Sequence, residues 1–138
     1  MQIKNEENVI IVKFESGEDV ITDFNNVIDK YDIKSGLIDF AIGMIKDTTI
    51  GYWDNDHYEK MNIPERIEIV SFHGTIAEND PRYHIHISGA RANHRIFGGH
   101  FFLGTADPLL EVRITKLNDV SLTRKFNDNS KLNELNIE

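Results

Sequence analysis

The segment Arg82–Gly104, RYHIHISGARANHRIFGGHFFLG, holds four of the six histidines of the chain. His84 and His86 alternate, and His100 follows the pair Gly98–Gly99. Alternate residues of a β-strand point to the same side, so His84, His86 and Ser88 share one face while Ile85 and Ile87 point to the other. In an antiparallel hairpin centred on Ala92, His84 lies opposite His100 and His86 lies opposite Gly98. Directly opposed side chains stand on one face, with Cβ atoms about 4.5–5.5 Å apart. Moving the register by two residues opposes His86 to His100 and keeps the three imidazoles together; only an odd slip separates them. Gly98 brings no side chain beside His86, which leaves space for a metal or a ligand. Three imidazoles converging from two strands suit zinc, which binds nitrogen at about 2.0–2.1 Å and keeps a fourth position open in catalytic sites. Ligand type alone leaves nickel, copper and iron open too. So does the simpler reading of a polar sheet face, where histidines need no ligand at all.

Other residues add less. His73 alternates with Ser71 on another strand; it reads first as a packed histidine with satisfied hydrogen bonds, within reach of the same cavity. Glu111 reads either as a carboxylate that orients an imidazole or as an exposed side chain. His94 falls in the turn. His57, near Asp54 and Asp56, reads as a surface loop. No Gly-x-Gly-x-x-Gly leads from a strand into a helix, and no phosphate-loop lysine motif occurs. No serine–histidine–acid triad can be argued.

The elements that must position these residues are modest. A chain of 138 residues fits one domain with a real core. Asn8–Phe14 reads as a strand buried on both faces. A helix over about Gly17–Tyr31 presents Val20, Phe24, Val27, Ile28 and Tyr31 on one side. Ser16 is its expected N-cap, with Asp19 completing a capping box. Ser35–Asp54 reads as a long strand broken by glycines. The stretch after it, NDHYEKMNIPE, reads as a connection. Arg66–Asn79 is another strand, followed by the histidine hairpin and a turn at ADP. LLEVRITKL and SLTRKF are the last strands. Residues 127–138 form a polar tail, either loose or docked on a neighbouring chain. One helix with about seven strands predicts an α+β fold: a largely antiparallel, mixed sheet with the helix on one face.

The formal charge of −8 opposes a phosphate-backbone binder. Arg82, Arg91, Arg95, Lys116, Arg124 and Lys125 are the candidates for a local basic patch. The absence of cysteine excludes thiolate metal sites and disulfides. No apolar run is long enough to span a bilayer, and MQIKNEEN lacks a basic-then-apolar signal pattern. A cytoplasmic location without membrane association is the expectation.

The motifs RIEIVSFHGTIAEN, YHIHISGARANHRIFGGHFFLG and PLLEVRITKL, in this order and spacing, resemble the plant-and-prokaryote-conserved (PPC) domain over about Asn8–Phe126. The early SGEDV helix start fits as well. The resemblance is to the prokaryotic type that stands alone, as opposed to the plant proteins in which the domain follows AT-hooks. It implies a homotrimer and a zinc-holding histidine site at His84, His86 and His100; Ser88, Gly98, Gly99, His73 and Glu111 are, from their own positions, the candidates for a surrounding pocket. His73 and the turn GARANHR depart from the usual pattern. The AT-hook sequence RGRP does not occur, so direct nucleic-acid binding is not expected. Two classes of function follow: a metal-binding domain with undetermined catalysis, or a non-catalytic module, either binding a protein in a DNA-associated or transcriptional role or binding a small ligand beside Gly98 and Gly99.

Overall fold

The computed structural model describes all 138 residues, Met1–Glu138. The chain runs β1 (Gln2–Glu6), β2 (Val9–Glu15), α1 (Val20–Tyr31), β3 (Ser35–Asp54) and β4 (His57–Ile63). It continues with β5 (Ile67–Ile76), β6 (Tyr83–Ala90), β7 (Ile96–Leu117), β8 (Leu122–Asn127) and β9 (Leu132–Ile137). Seven strands form one sheet in the order β1-β2-β7-β6-β5-β3-β4, and a further β7–β3 pairing closes it on itself. Every ladder is antiparallel. This is the expected α+β class, with sheet dominating. No helix is long and apolar enough to cross a membrane.

The helix covers the core side of the sheet. Val20, Phe24, Val27 and Ile28 are buried, and Phe24 meets Phe14 and Phe72 edge-on at ring separations of 5.4 and 6.2 Å. The helix starts later than expected. Asp19, not Ser16, is the N-cap, and its carboxylate accepts from the Thr22 amide at 2.8 Å. Ser16 instead donates to Asp107.

Four other expectations change. The stretch Asn8–Phe14 is buried on one face only: Ile10, Val12 and Phe14 are in the core, while Ile11 is half exposed. Asn55–Asp56 is a two-residue turn, with Asn55 at φ 59°, and residues 57–63 pair with β3 as a hairpin rather than forming a connection. ADP does not turn the chain, because β7 runs through it. There β7 exchanges β6 for β2 on one edge, and on the other its register with β3 shifts between Ala106 and Leu110, so Pro108 needs no amide for a ladder. Asp107 is held by Arg66 and Lys46 at 3.0 and 3.3 Å. The polar tail is ordered: β9 pairs with β8 as a separate two-stranded hairpin. Its anchors are the Leu122 amide on Ser35 Oγ and paired backbone bonds between Arg124 and the Asn79 side chain.

A bulge in β5 also alters which side chains share a face. The β5–β6 register shifts between Ile69 and Ser71. Phe72 therefore joins Ile67 and Ile69 in the core, and His73 turns outward.

Candidate metal centre

β6 and β7 pair from Ala90↔Ile96 to His86↔His100. The register is thus the alternative one, two residues from a hairpin centred on Ala92. The parity is unchanged, so His84, His86 and His100 still share a face. One ring nitrogen from each lies within 4.8 Å of the others. The Nε2 atoms of His84 and His86 stand 3.1 Å apart. Two nitrogens at about 2.1 Å on a tetrahedral ion lie about 3.4 Å apart, so this pair is already at ligand spacing. Ring centroids are 5.0 Å (His84–His86), 5.3 Å (His84–His100) and 5.7 Å (His86–His100).

The environment keeps the imidazoles neutral, which is the state a metal binds. Burial, then the positive field of His84, His86, Arg124 and Lys60, pushes His100 down to about 4. His84 is lowered by burial, then by His86 and Arg124. His86 is lowered by burial and then by His73. No carboxylate contributes to any of the three shifts.

His73 pairs directly with His86 and so stands on the same face, one strand away. Ser88 is in the next row, between Ser71 and Gly98, and its hydroxyl lies 2.8 Å from that of Ser71. Glu111 is not brought to the histidines. It lies far along β7, opposite Lys13 and Ile42, and is exposed. The glycines serve a different purpose from the one expected. A Cβ on Gly98 would meet the Ile87 carbonyl, and one on Gly99 would stand 2.6 Å from the Gly51 carbonyl. They permit close backbone approach of β7 to its two neighbours, rather than open space for a ligand. Gly99→Ala is expected to push β7 off β3 beside His100 and to cost about 3 kcal/mol in denaturant unfolding, the upper range for overpacking.

Several residues of the site were not anticipated. The Tyr58 hydroxyl is 3.4 Å from His100 Nδ1, with the rings 4.8 Å apart, and Phe102 flanks the same imidazole at 4.8 Å. Trp53 packs on Tyr58. Beyond His86↔His100 the β6–β7 ladder ends, and a cavity of about 430 Å³ opens there. Its walls include Trp53, Tyr58, His84, Phe102 and Arg124, with Leu132 and Leu135 from the β8–β9 hairpin. The signal for β4 was present as a two-residue Asn–Asp turn between strand-like segments. The hairpin at the C-terminal end gave no such signal. Asp54, His57 and Glu59 form a second cluster at the surface. Both ring nitrogens of His57 are taken by Asp56 and Glu59, at 2.8 and 2.7 Å, and these carboxylates raise it to about 9.

Most of the candidate basic residues are engaged within the chain. Arg82 and Lys116 bond to the carbonyls of Ile33 and Tyr31; Arg91 pairs with Glu65, and Lys125 with Glu138. Arg124 is buried.

The model of the Plants and Prokaryotes Conserved (PCC) domain matches residues 1–118. The chain belongs to this family. Solved structures share the PCC-domain fold across nearly the whole chain. One is a protein described as metal-containing from Archaeoglobus fulgidus: TM-score 0.84, 23% identity, covering 97% of this chain and 94% of that one. Another is a plant- and prokaryote-conserved protein from Pyrococcus horikoshii, with TM-score 0.81, 22% identity and coverage of 95% and 91%. A third, from Bacteroides thetaiotaomicron, is described as a candidate DNA-binding protein; it has TM-score 0.89, 22% identity and coverage of 98% and 96%. At these identities the likeness concerns the fold. No curated protein matches the sequence significantly.

Proposed function

We propose that this PCC-domain protein is a homotrimer that holds one zinc ion per chain on His84, His86 and His100. The observation that carries the reading is the convergence of three imidazole nitrogens within 4.8 Å, in surroundings that favour their neutral form. The donor set is all nitrogen, as in three-histidine zinc sites. The metal-containing relative from Archaeoglobus fulgidus, of the same fold, agrees with it. Zinc with an open position would polarise a carbonyl or acidify a bound water. His73, opposite His86, and Ser88, in the next row, stand on the same face as the three histidines.

Self-association is supported by the outer face of β2, β7 and β3. Ile11, Arg113 and Phe40 form one row there, and Lys13, Glu111 and Ile42 the next. Ile11, Phe40 and Ile42 are 50%, 43% and 53% exposed, and together with the charged side chains between them they make a mixed surface that suits an interface between copies. Direct DNA binding is no part of this reading, since the net charge is −8 and most candidate basic side chains are engaged within the chain.

Elemental analysis of protein purified without chelator or histidine tag is expected to find about one zinc per chain. Sedimentation of the same sample should give three times the chain mass of 15.9 kDa. Metal-free protein after such a preparation would overturn the metal assignment, and a monomer would overturn the assembly.

A further inference from the structure

We infer that the cavity beside the histidines binds a small organic carboxylate with an aromatic or apolar body, and that Arg124 receives its charge. The inference rests on the histidine site for its place in a function, but its physical basis is separate. Arg124 is only 6% exposed. Its Nε donates to the Pro81 carbonyl at 3.3 Å, and one terminal nitrogen, Nη2, donates to Thr75 Oγ1 at 2.7 Å. The other terminal nitrogen has no acceptor in the chain. No carboxylate acts on this guanidinium, although carboxylates outnumber basic groups in the protein. A buried cation without a counter-ion is costly, and natural proteins pair such groups. Here the unpaired cation lines a cavity.

The rest of the cavity extends the argument. Arg124, His84 and His100 line the same cavity. Lys60 lies over the Phe102 ring at 4.1 Å, on the same side. The one carboxylate on the wall, Glu134, already accepts from Asn127 and Ser130. The remaining surface is largely aromatic and aliphatic: Trp53, Tyr58, Tyr83, Phe102, Leu132 and Leu135. A cavity of about 430 Å³ falls within the usual range for small-molecule sites, which pair apolar walls with a few placed polar groups. The free Nη1 of the guanidinium offers charge-assisted hydrogen bonds to a carboxylate. Thr75, which Arg124 also contacts, is paired with His84, so the bound carboxylate lies next to the histidine cluster.

Benzoate and its neutral isostere benzamide are the probes. Trp53 is the single tryptophan and lines the cavity, so its fluorescence reports occupancy. The titrations use the full chain in low-chloride buffer, once as purified and once stripped of metal. Benzoate is expected to give a saturable change and to bind at least tenfold tighter than benzamide in both forms. Arg124→Met is expected to abolish that preference, and Arg124→Lys to retain part of it. Equal binding of the two probes, or no binding of either, by the wild type would overturn the inference without any variant. So would an Arg124→Met protein that keeps the preference. A preference seen only with metal present would assign the carboxylate to the ion rather than to Arg124, and would also overturn it. Absence of zinc in the purified protein would sink the metal assignment while leaving the stripped-protein result intact.

Discussion

His100→Ala is expected to leave a folded chain with no stoichiometric zinc. Loss of a group that merely orients a ligand costs about 10- to 100-fold in metal affinity, and loss of a direct ligand costs more. The two histidines left, His84 and His86, come from one strand, two residues apart. They cannot enclose an ion from two sides as the three do. The fold should survive because His100 is not part of the buried core: that role on β7 belongs to Phe101, its neighbour on the opposite face. Removing the imidazole leaves a gap between Tyr58 and Phe102, with a modest loss of packing. Elemental analysis with circular dichroism on the same sample checks both halves. Full zinc occupancy in a folded variant would remove His100 from the site.

The metal-free protein is expected to lose stability as the pH falls from about 6.5 towards 4. The folded state holds His100 at about 4, against 6.5 for the unconstrained side chain. The unfolded chain therefore takes up a proton in this window and the folded chain does not, so acid favours unfolding. Above about 6.5 both states are neutral at this position and the effect vanishes. At about 1.36 kcal/mol per unit of pKa difference, His100 accounts for at most about 3 kcal/mol by pH 4, and solvent screening of this partly exposed ring lowers that. His84 and His86 shift in the same direction, and the three titrate as a coupled group. Urea unfolding at a series of pH values measures this directly, and in His100→Ala the slope should be shallower. Saturating zinc should oppose the loss, by about 2.7 kcal/mol at a hundred times its dissociation constant. A flat pH profile between 4 and 6.5 would show that the imidazoles are solvated.

What could be read from the sequence divides along physical lines. The His84–His86–His100 face was legible because strand parity survives any even slip of register, even though the hairpin centre was misplaced. The helix was legible from its period of apolar residues. Its start was not, since Ser16 and Asp19 are both good caps and only the fold decides which is free. Pro108 within a strand defeats local reasoning: it is tolerated because β7 changes neighbours at that point, a fact of tertiary structure. The cavity was illegible for the same reason. Its aromatic wall comes from β3, β4, β6 and β7, its charge from β8 and its aliphatic cover from β9, elements brought together only by the fold.

The 22 residues of β7 also bear on how the protein is made. β2 has one main partner besides β1, and that partner is the second half of β7, about a hundred positions later. During synthesis the free edge of β2 must wait, unpaired, until residues 109–115 leave the ribosome. The first half of β3 waits for the same strand. Contacts this distant in sequence slow folding and prolong exposure of sticky edges. The nascent chain is therefore most vulnerable to aggregation just before the second half of β7 emerges, whereas the histidine cluster needs only β6 and the first half of β7.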